Sequence, residues 1–211
     1  MPSNAKRLDV DPLSATDVEA LIRACSNRAP TGIRNRALIA LTWRCGLRIG
    51  ETLALHRKDV DLQAGTLTVQ NGKGGKRRVV GVDPGTAALL ERWLLKRTAL
   101  RVPRAAPVFC TLGGKPLDQS YIRHLLPRLA SRAGIEKRVH AHALRHAYAI
   151  ELEREGATLS TIRDLLGHSS ATTTDRYLRR IGAGEAIDFA RSREWSLTSS
   201  NKANTRKPAL A

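Results

Sequence analysis

The stretch from Val60 to Val82 interrupts a chain whose apolar residues otherwise have helical spacing. Within it, Thr66-Leu-Thr-Val-Gln alternates polar with apolar residues, and Arg78-Val-Val-Gly-Val does so more weakly. Alternation is typical of β-strands, and the segment between them, Asn71-Gly-Lys-Gly-Gly-Lys, is rich in turn-forming residues. The pattern predicts a small antiparallel hairpin, and the first three residues of the stretch are the candidate for a third strand.

Helical spacing and end signals predict helices on both sides of this hairpin. Ser14 is a good N-cap with acidic residues in the following turn, and Gly46 is a good stop after the second helix. Helices are expected at about 15–27, 32–45, 48–55, 84–100, 118–133, 143–155, 160–166, 171–179 and 183–193. The predicted fold class is therefore mainly α with a small antiparallel β-sheet (α+β).

The charge of the chain indicates a polyanionic partner. Lys and Arg number 36 against 19 Asp and Glu, which gives a formal net charge of +17. Self-repulsion on this scale disfavours a compact state unless a polyanion offsets it, and nucleic acid releases counterions when it binds such a surface. The alternative is a generally basic protein that binds ribosomes or anionic lipid.

The cysteines, the first residues and the lengths of the apolar runs indicate the cellular compartment. Cys25, Cys45 and Cys110 are an odd number without metal-ligand spacing, so they are predicted to be reduced core residues. The first residues lack an apolar signal region, and no apolar run is long enough to span a membrane. We therefore expect a cytoplasmic protein without membrane partners.

Two glycine-flanked cations stand out in the first half of the chain. Gly46-Leu-Arg-Ile-Gly-Glu places Arg48 at the start of a helix, where backbone N–H groups already favour phosphate. Glu51, one turn later, could steady the local fold. Gly72-Lys-Gly-Gly places Lys73 at the hairpin tip, but without the Gly-Lys-Ser/Thr ending of a P-loop. Taken alone, each is better explained as a solvated surface cation.

Histidines and one tyrosine stand out in the second half. In His142-Ala-Leu-Arg-His, His142 and Arg145 are three residues apart and share a helix face, so both can hold one phosphate. Metal binding is a rival for clustered histidines, since His140 is also near, but no nearby Asp, Glu or Cys completes a usual ligand set. His168 follows in Leu-Leu-Gly-His, and Tyr177 comes nine residues later. A lone helical tyrosine is more often a packing residue.

Together these segments resemble the catalytic domain of the tyrosine recombinases, a family that includes phage integrases and chromosome-dimer resolvases. The resemblance holds in order and in spacing over about Leu13 to Arg180. It implies the catalytic-domain fold of that family. The family's catalytic residues fall on Arg48, Lys73, His142, Arg145, His168 and Tyr177.

The resemblance implies transesterification at a DNA phosphodiester. Tyr177 would attack phosphorus to form a 3′-phosphotyrosine link, with His142 as the candidate base and Lys73 as the acid for the leaving 5′-oxygen. A free tyrosine has a pKa of about 10, so it must be activated in place. The donors to the non-bridging oxygens would be Arg48, Arg145 and His168. No metal, cofactor or ATP is expected.

The resemblance also divides the chain and names partners. Residues 1–12 are expected to be flexible, 13–195 to form the catalytic domain, and 196–211 to be a disordered tail. The N-terminal DNA-clamping domain of the family is expected to be absent, whether by nature or because the chain is part of a longer protein. Expected partners are double-stranded DNA, other protomers in a tetrameric synapse, and accessory proteins. In the family a C-terminal segment docks onto a neighbouring protomer; here Ala183–Arg193 either does this or folds back on its own domain.

Three alternatives remain at this point. A type IB topoisomerase also forms a 3′-phosphotyrosine link, but it relaxes supercoiled DNA without exchanging strands between sites. A DNA-binding accessory protein would carry the same residues without using them, and a basic helical RNA-binding protein would form no adduct. The resemblance favours a bacterial or phage-encoded recombinase associated with the nucleoid.

Overall fold

The described part of the chain contains seven α-helices, a short 3₁₀-helix at Arg57–Asp59 and one three-stranded sheet. The computed structural model describes residues 12–70, 77–167 and 190–195. The helices are α1 (Ala15–Ala24), α2 (Pro30–Arg44), α3 (Ile49–Leu53), α4 (Pro84–Ala99), α5 (Gln119–Arg132), α6 (Ala141–Arg154) and α7 (Leu159–Leu166). The strands are β1 (Val60–Asp61), β2 (Thr66–Val69) and β3 (Arg78–Gly81). The prediction of a mainly helical fold with a small antiparallel sheet is confirmed.

The sheet is a meander in the order β1-β2-β3, with both pairs antiparallel. Leu67 lies opposite Val60 on one side and Val80 on the other, and all three side chains are buried. Directly opposed residues of an antiparallel pair point to the same face. One face of the sheet therefore packs on the core, and the predicted third strand exists. The predicted turn at 71–76 lies outside the described residues.

Helix α2 forms the centre of the helical body. It begins at Pro30, two residues before the predicted start, because the fixed φ of proline suits the first position of a helix. It is buried on nearly all sides and packs against α1, α4 and α6. Its buried Arg34 has partners: it donates to the carbonyl of Cys110 at 2.9 Å and to the hydroxyl of Tyr121 at 2.6 Å.

Two later helices bear on the site. Helix α6 begins at Ala141, two residues before the predicted start, because Nδ1 of His140 accepts a hydrogen bond from the backbone N–H of Ala143. Helix α7 ends at Leu166, as predicted, and Gly167 after it has φ +62 and caps the helix in the left-handed conformation. The helix predicted at 171–179 lies outside the described residues.

Residues 190–195 pack against their own domain. Ala190 is buried, Arg193 pairs with Glu155 at 2.7 Å, and the Trp195 ring meets Trp43 edge to face with centroids 5.3 Å apart. The described end of the predicted 183–193 segment therefore contacts its own domain, and the choice between the two arrangements considered stays a prediction. The rest of that segment lies outside the described residues.

Two further predictions from the sequence concern the cysteines and membrane-spanning helices. All three cysteines are buried and free of disulfide bonds, as expected for small core residues. Among the described helices, none is both long and apolar enough to cross a membrane.

Candidate active site

A tight turn between α2 and α3 presents Arg48. Gly46 has φ +58, and a Cβ at this position would lie 2.5 Å from the ring of Tyr148, so only glycine fits. Arg48 then occupies the N-cap of α3, where its backbone N–H donates to Oε2 of Glu51 at 2.8 Å and its Nη1 donates to Oε1 at 3.0 Å. The Arg48 side chain remains 35% exposed. Glu51 therefore orients the Arg48 side chain, part of which stays accessible to solvent.

Arg145 lies deeper and is fixed by backbone carbonyls. Its side chain is 5% exposed, and its two terminal nitrogens donate to the carbonyls of Gly46 and Leu166. These bonds join the Arg48 turn to the end of α7, one residue before Gly167. Burial, and then the nearby charge of Arg48, lower the pKa of Arg145 to about 10, so it stays charged near neutrality. A guanidinium has five N–H groups, so donors remain for a phosphate.

His142 lies one turn before Arg145 on α6, as the spacing predicted. Its ring is exposed, and its centroid is 6.4 Å from that of His140. Desolvation lowers the pKa of His142, and the charges of His140 and Arg145 lower it further. The neutral imidazole is therefore favoured, and this is the form that can accept a proton.

Glu51 joins Arg48 to a residue that the sequence motifs did not identify, Arg78. Nη1 of Arg78 donates to Oε1 of Glu51 at 2.9 Å, and Nη2 donates to Oε2 at 2.8 Å. Each oxygen of Glu51 thus accepts one bond from each arginine. Burial alone would raise the pKa of Glu51, but the hydrogen bonds from Arg78 and from the backbone of Arg48 outweigh it and lower the pKa to about 2. Glu51 is therefore ionised at any ordinary pH.

The structure brings together three of the six predicted residues. Arg48 and Arg145 both contribute to the electrostatic environment of His142, and Arg145 binds the carbonyl two residues before Arg48. Lys73, His168 and Tyr177, by contrast, lie outside the described residues, so their placement stays a prediction. In the ranges that the structure describes, no group of three or more His, Cys, Asp or Glu side chains is placed to hold a metal ion.

Comparisons with known proteins show the family of the chain. The model of the phage integrase family matches residues 12–181. Tyrosine recombinase XerD of Ralstonia nicotianae is 41% identical over 167 residues, which cover 78% of this chain and 54% of that protein. Tyrosine recombinase XerC of Rhodospirillum centenum is 39% identical over 173 residues, which cover 79% and 49%. The chain thus spans about half the length of these relatives.

Solved structures show the same fold. The crystal structure of XerA recombinase has a TM-score of 0.69 and 31% identity, over 87% of this chain and 66% of that one. The XerH site-specific recombinase, in a post-cleavage complex with its palindromic difH substrate, has a TM-score of 0.65 and 30% identity, over 81% and 48%. On the match of the family model over most of its length, the chain belongs to the phage integrase family of tyrosine recombinases.

Proposed function

We propose that the chain cleaves and rejoins DNA strands at specific sites through a 3′-phosphotyrosine intermediate. The observation that carries the proposal is the convergence of three side chains from two segments: Arg48 from the turn before α3, and His142 and Arg145 from one face of α6. Such a cluster has a surplus of positive charge that suits a phosphodiester. Membership of a family whose quoted relatives are recombinases supports this activity over that of a topoisomerase.

In the proposed cleavage step, the phenol oxygen of Tyr177 forms a bond to phosphorus as the bond to the 5′-oxygen breaks. His142 takes the phenol proton, and Lys73 gives a proton to the leaving oxygen. The energy of the broken phosphodiester bond is conserved in the phosphotyrosine link, so rejoining needs no ATP. A 5′-hydroxyl, from the same or another strand, attacks phosphorus and releases the tyrosine.

Arg48 and Arg145 stabilise the transition state in this proposal. Charge builds on the non-bridging oxygens, and each guanidinium can donate more than one N–H bond to them. His168 adds a donor. Because the cationic side chains provide the stabilisation that a metal ion would otherwise supply, the expectation of a metal-free reaction stands as part of the proposal.

Double-stranded DNA is the proposed substrate, and further copies of the chain are the proposed partners. The XerH recombinase was captured on a palindromic substrate, and two-fold symmetric DNA binds two copies of a protein in equivalent positions. Two such sites in one synapse give four protomers. A bacterial enzyme of this kind acts where the chromosome lies, in the cytoplasm and its nucleoid.

Covalent trapping tests the proposal. The chain is incubated with nicked suicide duplexes carrying a randomised segment, and adducts are isolated on a denaturing gel and sequenced. We expect an adduct in which the tyrosine is joined to a 3′-phosphate, and a common sequence among the trapped duplexes. Tyr177→Phe is the matched control, since it removes one oxygen, and it should give no adduct.

Other outcomes identify the alternatives. An adduct with Tyr177→Phe would show that the nucleophile is a different residue. Binding without any adduct would favour an accessory role. Relaxation of supercoiled plasmid without strand exchange between two trapped sites would favour a topoisomerase.

A further inference from the structure

Arg78 is a charged residue near the site to which the proposed reaction gives no role. Strand alternation explains its direction: Arg78 is two residues from the buried Val80 and pairs directly with the buried Val69, so its side chain points to the inner face of the sheet. A charge on an inner face requires a partner. Its partner is Glu51, and the Arg78 side chain is only 16% exposed.

The guanidinium of Arg78 contacts two segments besides its own strand. It makes both of its terminal bonds to Glu51, whose own two oxygens bind Arg48. It also lies against Gly167, where a Cβ would come within 2.9 Å of Cζ and Nε of Arg78. Gly167 directly precedes His168, and Arg78 follows Lys73 by five residues.

We propose that Arg78 is a positioning residue of the active site, which fixes the carboxylate that orients Arg48 and supports the turn that leads to His168. A two-bond fork holds the plane of a carboxylate, whereas a single bond leaves it free to rotate. With Arg78 removed, Glu51 keeps only its bonds to Arg48, and both groups can turn together. The inference rests on the proposed DNA cleavage.

The hydrogen bonds of Arg78 also contribute the most to keeping Glu51 charged. Of the interactions that lower the pKa of Glu51, the side-chain bonds from Arg78 are the largest, ahead of the backbone N–H of Arg48. Without them, burial makes the carboxylate harder to ionise. Arg78 thus maintains both the direction and the charge of the group that Arg48 depends on.

The test separates binding from reaction. Adduct formation from a trapped suicide duplex is followed in single turnover, at saturating DNA and at a temperature where circular dichroism shows each variant folded. We expect Arg78→Gln to lower the saturating rate by about 10- to 100-fold while the Kd for DNA changes little, because a misdirected group costs rate. Arg78→Lys keeps the charge without the fork and should recover part of the rate. Arg77→Gln, an exposed neighbour, is the matched control and should keep the saturating rate.

A double variant shows whether Arg78 acts through Glu51. If it does, Arg78→Gln combined with Glu51→Gln reacts no more slowly than Glu51→Gln alone. Full additivity, or a loss in Kd with an unchanged saturating rate, would overturn the inference and make Arg78 a direct phosphate contact. An adduct from the wild type at the same rate as Arg78→Gln would also overturn it. Absence of any wild-type adduct would instead refute the proposed function, and the inference with it.

Discussion

Two carboxylates of the molecule each lie between two arginines, and the two regions differ in charge balance. Glu51 binds Arg48 and Arg78, while Glu151 binds Arg44 at 2.9 Å and Arg193 at 3.1 Å. Around Glu151, the additional acids Asp83 and Glu155 pair with the same two arginines. Around Glu51, the neighbouring charge is a third arginine.

The difference separates a network that holds the fold together from the network of the proposed active site. The Glu151 region joins α2, α6 and the 190–195 segment through ion pairs whose arginines are 3% and 5% exposed. In the Glu51 region, among the residues the structure describes, two arginines bind one carboxylate, a third, Arg145, interacts with its charge, and Arg48 is 35% exposed. The surplus positive charge of the Glu51 region lies near the surface and is available to a phosphate. The charges of the Glu151 region are buried and balanced, and they hold the fold together.

The largest expected effect is on stability, in the Glu151 region. Arg44→Gln leaves the buried Asp83 and part of Glu151 without a cation, and breaking a buried pair costs about 3–5 kcal/mol in the free energy of unfolding. Chemical denaturation measures it. The matched control is Arg23→Gln, whose exposed pair with Glu19 is worth about 0.2–1 kcal/mol. Equal losses in the two variants would refute the structural role of this network.

The second-largest expected effect is on the rate of adduct formation, in the Glu51 region. Arg48→Gln should lower the saturating rate of adduct formation by about 10²–10³-fold, the usual cost of one transition-state donor. Because its side chain is partly exposed, the loss of unfolding free energy should be smaller than for Arg44→Gln. Arg154→Gln, at the exposed far end of α6, should alter neither quantity. A stability loss as large as that of Arg44→Gln would remove the distinction between the two regions.

Acid should remove the difference in stability between the wild type and Glu51→Gln, whose side chain is neutral. A pKa lowered from 4.5 to about 2 corresponds to a stabilisation on the order of 3 kcal/mol. Since the folded value is the lower one, this stabilisation is present above pH 4.5 and is lost as the pH falls toward 2. The unfolding free energies of the wild type and Glu51→Gln should therefore converge over that range. A difference that stays constant with pH would contradict the ionised, doubly bound carboxylate.

The local elements were predictable because their signals are local. Ser14 accepts the backbone N–H of Asp17 as a capping residue, and Gly46 and Gly167 take the left-handed conformation that helix ends require. The missed helix starts have local causes too. The ring of Pro30 fixes φ at a value that suits the first position of a helix. His140 acts as an N-cap although histidine is not among the preferred capping residues.

The site was only partly predictable, because motifs record spacing and not tertiary contact. Arg48, His142 and Arg145 stand in recognisable segments, and the structure gathers them. Arg78 pairs with a residue 27 positions earlier, across the fold from β3 to α3, and a motif search cannot detect such a pair. Its available signal was weaker: two residues before Val80, alternation places an arginine on the inner face of a strand, where a charge needs a partner.

The smallest expected effect is a shift in the acidic limb of cleavage. The pKa of His142 is lowered by desolvation first and by the charge of His140 next, so the neutral base persists below pH 6.5 and the rate falls only at more acidic pH. His140→Asn keeps a capping acceptor for α6 but removes the neighbouring charge, so the limb should move up toward 6.5. Single-turnover rates across pH measure it, with His124→Asn on the exposed face of α5 as the control. If His140→Asn leaves the limb in place, the charge of His140 does not lower the pKa of the proposed base, and the nearby charges that act on His142 are confined to other residues, among them the arginines of the Glu51 region.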